Sequence, residues 1–272
     1  MIKHIEINFF RMPAIAGFLI LSLLSVSKLS AQTGWYFTSS IQISGGNYIL
    51  DSYNRVFSVY GGLRYQGDNF GVSVSIPLVA SNNKSVSQIS GMMISSGSNN
   101  SSNVETMRNS MNSGLGDLYA YLDYKIYSDY ESGLDVYANA QLKAPTANTN
   151  MNIGTGRLDY GGSVTFRKSF ESFVGIIDIG FLNIGDQDSI TYKNPFTYGI
   201  GIGKFFNYGE YSLLLYYTGY TTVIDGYDSP KQVSLGVNYR ASENIMLSMI
   251  GSVGIGNTSP DFTLSDGIRL QL

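Results

Sequence analysis

Charged side chains recur at alternate positions between residues 117 and 178 of this chain. Side chains at alternate positions of a strand share one face, so each group would line a common surface. Acidic and basic groups brought together could form a polar constriction or substrate track. They could equally form a ladder of salt bridges, because buried charges need partners. Both interpretations stay open for the candidates, which are Asp117, Asp123, Lys125, Asp135, Lys143, Arg157, Asp159, Arg167 and Asp178.

Three tyrosines lie on the same predicted strand faces as these charges: Tyr119, Tyr121 and Tyr137. Tyrosine offers a rigid apolar ring with a polar end, which suits an aromatic or sugar-like solute. We therefore take them as candidate substrate contacts. The same predicted face of more distant segments carries three arginines that would complete a ring: Arg64, Arg240 and Arg269.

The sequence lacks the residues of the common hydrolytic and metal sites. It contains no cysteine, and its one histidine is His4. A chain without a usable histidine or cysteine cannot build a Ser-His-Asp triad or a zinc site of the usual type. We expect no enzymatic activity, no cofactor and no metal. The net charge of −3 gives no reason to expect nucleic acid as a partner.

Alternation of apolar and polar residues is the main structural signal in the chain. Phe70, Val72 and Val74, for example, alternate with Gly71 and Ser73. Such segments, about ten residues long, are typical of strands that face lipid on one side and water on the other. The predicted strands are 34–45, 56–67, 70–80, 115–127, 133–143, 157–168, 173–184, 196–206, 210–223, 231–241, 245–256 and 262–272.

The composition favours a membrane barrel over a soluble sandwich of two sheets. Charged residues make up only 14% of the chain, whereas about 25% is usual in soluble domains. The polar face is rich in Ser, Gly, Thr and Asn rather than in Lys and Glu. Lipid cannot satisfy an open strand edge, so the sheet must close. The predicted fold is all-β: a closed antiparallel transmembrane β-barrel of about 12 strands.

The connections alternate between short turns and longer loops, and both chain ends fall on the short-turn side. In outer-membrane barrels the short turns are periplasmic. The longest loop, 81–114, is too long for a simple connection. It could fold inward as a plug or form a cap outside, and the sequence leaves both possibilities open. An aromatic girdle is expected on the short-turn side from Trp35, Tyr36, Phe37, Tyr124, Tyr127, Phe206 and Tyr208.

The first 31 residues have the three-part pattern of a secretory signal peptide. Lys3 and Arg11 provide a basic start, an apolar run covers 14–26, and Ser30-Ala31 precedes the expected cleavage point. We expect residues 1–31 to be removed and residues 32–272 to form the barrel. The predicted location is the outer membrane of a Gram-negative bacterium.

Three short motifs follow one another in an order that resembles a known family. They are Gly114-Leu115-Gly116-Asp117-Leu118, then Leu142-Lys143-Ala144-Pro145-Thr146, then 154–162, which reads GTGRLDYGG. This order resembles the outer-membrane transporter family associated with the meta-pathway of phenol degradation. The resemblance implies a barrel and the transport of small, often apolar or aromatic molecules.

Two functions from different classes are compatible with these features. The first is a channel that passes small solutes, including aromatic or apolar ones, by diffusion. The second is a structural or surface-interaction barrel whose lumen is filled. In either case the expected partners are membrane lipid, lipopolysaccharide and the barrel-assembly machinery, and the first function adds a small-molecule solute.

Overall fold

The computed structural model describes residues 33–47, 53–82, 86–89, 92–95, 112–147, 155–186 and 191–272. The predicted signal peptide lies outside these residues. The strands are β1 (Gly34–Gly46), β2 (Asn54–Gln66), β3 (Phe70–Ser81), β4 (Val86–Ile89), β5 (Met92–Ser95), β6 (Asn112–Leu115), β7 (Leu118–Asp129), β8 (Leu134–Ala144), β9 (Asp159–Phe170), β10 (Phe173–Asn183), β11 (Phe196–Phe206), β12 (Tyr211–Tyr220), β13 (Lys231–Arg240), β14 (Ile245–Ile255) and β15 (Phe262–Gln271).

One antiparallel sheet closes on itself. Each wall strand pairs with the next in the chain, and the last strand, β15, pairs with β1. Both β6 and β7 pair with β3, so they are two parts of one wall strand that is interrupted at Gly116 and Asp117. The β4–β5 hairpin forms a separate two-stranded sheet. The wall therefore contains twelve strands, and the predicted fold is confirmed.

Burial alternates along the wall strands as the sequence predicts. On β3, the apolar side chains of Phe70, Val72 and Val74 are exposed on the outside, whereas Ser73 and Ser75 are buried inside. Large apolar residues are likewise exposed on the outer face of β10 to β14. The inner face of these strands is mixed, because Val174, Ile176 and Leu214 are buried there as an apolar cluster. An outer surface of exposed Leu, Ile and Phe is stable only against lipid.

Aromatic residues gather on the outer surface at the short-turn end, where the rings of Trp35 and Tyr65 lie 5.2 Å apart. The predicted girdle residues there are exposed, with one exception. Tyr36 lies on the opposite face of β1 from Trp35, and its ring contacts Arg269 inside the barrel. That prediction was wrong because strand alternation overrides proximity to the strand end.

The strand boundaries differ from the predicted ones by a few residues at loop-side ends. The strand β9 begins at Asp159 rather than at residue 157, and β12 ends at Tyr220 rather than at residue 223. At the other end of the wall, a bulge between Lys125 and Tyr127 shifts the pairing of β7 with β8. Among the described residues, no helix is long and apolar enough to cross a bilayer.

Short turns at one end and long loops at the other give the barrel two distinct ends. Residues 67–69, 130–133, 171–172, 207–210 and 241–244 form the short-turn end. Within the longest loop, only β4, β5 and the residues next to the wall are described, and its predicted placement as a plug or a cap lies outside the described residues. The backbone N–H of Leu272 donates to the carbonyl of Trp35 over 2.9 Å, which extends the closing seam to the final residue.

Candidate functional site: the barrel lumen

Near the long-loop end, one lysine lies between two carboxylates. The Nζ atom of Lys143 is 2.5 Å from Oδ2 of Asp159 and 3.7 Å from Oδ2 of Asp117. All three side chains are at most 4% exposed. The antiparallel register places Lys143 of β8 opposite Asp159 of β9, and the interruption of the neighbouring strand brings Asp117 alongside.

Each member of this triad also holds a loop. Asp117 accepts a hydrogen bond from the backbone N–H of Ala147 over 3.0 Å, and Asp159 accepts one from Gly185 over 3.0 Å. Lys143 donates to Oγ1 of Thr155 over 2.7 Å. Each of these buried groups is thus bonded both within the triad and to a neighbouring loop. This part of the predicted polar set corresponds to the salt-bridge alternative.

Arg157 lies apart from the wall. The sequence places it as the first inward residue of a strand, but β9 begins two residues later, at Asp159. Arg157 is exposed in the loop that precedes the strand, and its Cβ lies where a side chain on Gly185 would be. Its expected place on the lumen wall is therefore wrong, because the chain turns at Gly156, which has a φ of +67°.

Asp178 lies on the inner face of β10, away from the triad. It accepts hydrogen bonds from Oγ1 of Thr165 and from the hydroxyl of Tyr216, the latter over 2.5 Å. The Tyr216 ring covers Gly199 and Gly201 of the intervening strand, where an added Cβ would lie 2.0 and 2.4 Å from ring or hydroxyl atoms. The two glycines thus make room for the Tyr216 side chain, which extends from β12 across β11 to Asp178 on β10.

Three inward tyrosines form a group on β2 and β7. The ring centroids of Tyr60 and Tyr119 are 6.3 Å apart, and those of Tyr119 and Tyr121 are 6.5 Å apart with the rings nearly parallel. Tyr137 lies separately, with Nζ of Lys125 5.8 Å from its ring centroid. The structure therefore brings together two of the three predicted tyrosines and adds Tyr60, which the alternation of β2 could have indicated.

The other predicted charges lie in the half of the lumen toward the short turns. Arg64 donates to Asp123 over 2.8 Å and also contacts Gln66. The register sets Asp135 opposite the buried Arg167, and Asp135 accepts a 2.5 Å hydrogen bond from Ser128. The predicted polar set is thus divided into three separate clusters at different heights.

A wall of small polar side chains faces these clusters, and sequence reasoning did not single it out. Oγ atoms of Ser234 and Ser252 are 2.8 Å apart, and the Asn238 amide donates to Ser212 over 3.1 Å. These side chains carry no charge and are smaller than the tyrosines of the opposite sector. The inward hydroxyl-bearing residues of β1 and β13 to β15 are Thr38, Ser40, Ser44, Ser234, Ser248, Ser252, Thr263 and Ser265.

Comparisons with solved structures find outer-membrane barrels. An outer membrane channel from Pseudomonas putida F1 superimposes with a TM-score of 0.66 at 17% identity, covering 88% of this chain and 96% of that one. The NanC porin gives 0.53 at 10% identity, covering 87% and 100%. The CymD monoaromatic hydrocarbon channel gives 0.50 at 10% identity, covering 89% of each. The fold is thus that of outer-membrane channels.

The sequence itself identifies the family. A search of curated proteins finds no match to this chain. One family model, described as "Putative MetA-pathway of phenol degradation", matches residues 24–272. This range includes the whole barrel wall and the three motifs that carry the resemblance. The chain belongs to this family.

Proposed function

We propose that this protein is an outer-membrane channel through which small solutes diffuse. The observation that carries the proposal is the wall itself: a closed barrel that is apolar outside and lined inside largely by tyrosines, hydroxyls and charged groups. A lining of this kind gives polar molecules a route through a bilayer. The shared fold with known channels supports it. No catalytic role is proposed for any residue.

Small aromatic molecules are the proposed solutes. Tyr121 is partly exposed and lies nearly parallel to the buried Tyr119, with Tyr60 beside them, so its ring is the part of this group that a flat solute could contact. The family description refers to phenol degradation, and a structural neighbour is described as a monoaromatic hydrocarbon channel. Tyr137 is a further proposed contact nearer the short turns.

The alternative function is a structural or surface-interaction barrel with a filled lumen. Two observations favour it locally: the buried triad around Lys143, and the Tyr216 ring that covers the β11 glycines. Both show part of the interior occupied by side chains rather than water. The triad residues Asp117, Lys143 and Asp159 are accordingly proposed as loop anchors in either function.

Conductance across a planar bilayer distinguishes the two functions. Purified mature protein that forms a channel should produce discrete current steps. Vesicles that contain it should swell in phenylalanine solution faster than protein-free vesicles, because this zwitterionic aromatic solute crosses lipid very slowly. Replacing Tyr119 and Tyr121 together by alanine should change phenylalanine uptake more than the same change at the outward Tyr124. A correctly folded barrel with neither current nor swelling would favour the filled alternative.

Export and insertion are part of the same proposal. We propose that residues 1–31 are cleaved, that residues 32–272 reach the outer membrane, and that the barrel-assembly machinery inserts them among lipid and lipopolysaccharide. Mass spectrometry of the protein from outer-membrane fractions should show Gln32 at the amino terminus. Retention of residues 1–31 in that fraction would contradict the processing step.

A further inference from the structure

Three arginines occupy alternate strands at one height in the lumen, near the short turns. The register places Arg64 of β2 opposite Tyr36 of β1, and Arg269 of β15 opposite the inward Thr38. On the other side, Arg269 lies opposite Met246 of β14, which lies opposite Arg240 of β13. The three arginines therefore lie within five neighbouring strands, β2, β1, β15, β14 and β13. Strand alternation points all three guanidinium groups into the lumen.

Among the residues that the structure describes, a carboxylate pairs with only one of the three arginines. Arg64 is paired with Asp123. Arg269 instead contacts uncharged groups: its Cζ lies 5.4 Å from the Tyr36 ring centroid, and its Nη2 lies 3.4 Å from Sδ of Met246.

Arg240 also lacks a carboxylate partner. Its Nη2 lies 3.5 Å from the carbonyl of Gly209. Across the described part of the chain, no carboxylate oxygen lies within 4.0 Å of Arg240, Arg269 or Lys125. The short-turn half of the lumen therefore carries an excess of positive charge.

We infer that Arg269 and Arg240 form an anion site in the channel, and that the favoured solutes are small organic anions, carboxylates above all. A guanidinium inside a barrel keeps its charge and presents a planar fork of donors that matches a carboxylate. The hydroxyl wall on the same strands can hydrogen-bond such a group, and the Tyr36 ring beside Arg269 can contact an aromatic ring attached to it. The inference rests on the proposed function in one respect, that solutes reach the lumen.

The site is tested by binding rather than by transport. Mature protein in a neutral detergent is titrated by calorimetry with benzoate and with benzyl alcohol, which has the same ring and no charge. We expect benzoate to bind at least about tenfold more tightly, as one charge-assisted hydrogen bond provides. The preference should weaken with added salt, because dissolved ions screen the attraction.

Variants locate the site. Arg269→Gln should remove the preference for benzoate, and Arg269→Lys should retain part of it. Lys204→Gln is the matched control, since Lys204 lies near the same end but outside the wall, between the rings of Phe173 and Phe206. Folding is checked by heat-modifiable migration in gels. If Arg269→Gln fails to fold, Arg240→Gln answers the same question.

Binding and conductance then separate this inference from the channel proposal. Equal binding of benzoate and benzyl alcohol, no binding of benzoate, or a preference that survives Arg269→Gln and Arg240→Gln would overturn the anion site. Benzoate binding in a barrel that carries no current would support the site and contradict the channel. Current without any anion preference in binding or reversal potential would support the channel and overturn the site.

Discussion

At the scale of single residues, the charges that look alike in the sequence have different surroundings. Lys143 is buried between two carboxylates, whereas Lys193 forms a 2.5 Å pair with Asp225 in which the side chains are 52% and 80% exposed. Water and salt weaken an exposed pair, so it contributes little to stability. A buried group that loses its partner is costly because nothing else can compensate its charge.

Lys143→Met is therefore expected to be strongly destabilising. It leaves Asp117 and Asp159 buried without their cation, and breaking a buried pair in this way costs about 3–5 kcal/mol. The control Lys193→Met, at the exposed pair, should cost about 1 kcal/mol or less. Urea unfolding in lipid vesicles measures both free energies. Equal values for the two variants would contradict the anchor role.

Tyr216→Phe tests the link between β12 and β10. The change removes the hydroxyl that donates to the partly buried Asp178 but keeps the ring over Gly199 and Gly201. We expect a loss of about 1–3 kcal/mol, the cost of leaving a buried acceptor with one bond fewer. Tyr208→Phe, in an exposed turn, should leave the unfolding free energy unchanged. A neutral Tyr216→Phe would show that the hydrogen bond adds nothing.

At the scale of elements, each wall strand has one face toward lipid and one toward the lumen. On β11 the outward residues other than Lys204 are large and apolar or aromatic, whereas the inward Gly199, Gly201 and Gly203 leave space for neighbouring side chains. The glycine face and the tyrosine that covers it come from adjacent strands. Their match follows from the β11–β12 register, which pairs Gly201 with Tyr216.

Ile200→Arg tests which face of β11 meets lipid. Ile200 is 58% exposed at the middle of the strand, so the guanidinium would lie in the hydrocarbon layer. We expect a destabilisation of about 2–4 kcal/mol, as for other midplane arginines. The same substitution at Tyr208, in the turn, serves as the control. Unfolding titrations in vesicles compare them, and a tolerated Ile200→Arg would mean that this face does not contact lipid.

At the scale of the whole molecule, closure depends on one seam between the ends of the chain. The strands β1 and β15 pair over ten positions, from Tyr36 with Gln271 to Gly45 with Phe262. Without this seam, two long edges would face lipid with unpaired backbone groups, each costing several kcal/mol. The last strand is thus a condition for the stability of the whole barrel.

A disulfide across the seam tests closure directly, because the natural chain has no cysteine. Phe37→Cys with Leu270→Cys places the two thiols at opposite positions of the register, and mild oxidation should link them within one chain. Phe37→Cys with Leu264→Cys should stay unlinked, because Leu264 lies six residues before Leu270 in β15 and is opposite Ile43. Thiol titration and gel mobility after mild oxidation report the result. Linkage of both pairs, or of neither, would contradict the register.

The sequence by itself determined the number of wall strands, their approximate ends and the face that each presents. It could do so because a side chain on a strand alternates with a period of two and because the outer face must match lipid. The inward positions of Asp123, Lys125, Asp135 and Asp178 followed from the same rule, and so did the error at Arg157, where alternation was extended past the end of the strand.

Only the tertiary structure decided which inward groups meet. Contacts such as Arg64 with Asp123, Tyr216 with Asp178, and Arg269 with Tyr36 and Met246 join different strands. They depend on the register between strands and on closure, neither of which appears in the pattern of a single segment. For this reason the charges that the sequence predicts as one ring lie in separate groups. These are the buried triad around Lys143, Asp178 with its hydrogen bond from Tyr216, and the arginines near the short turns.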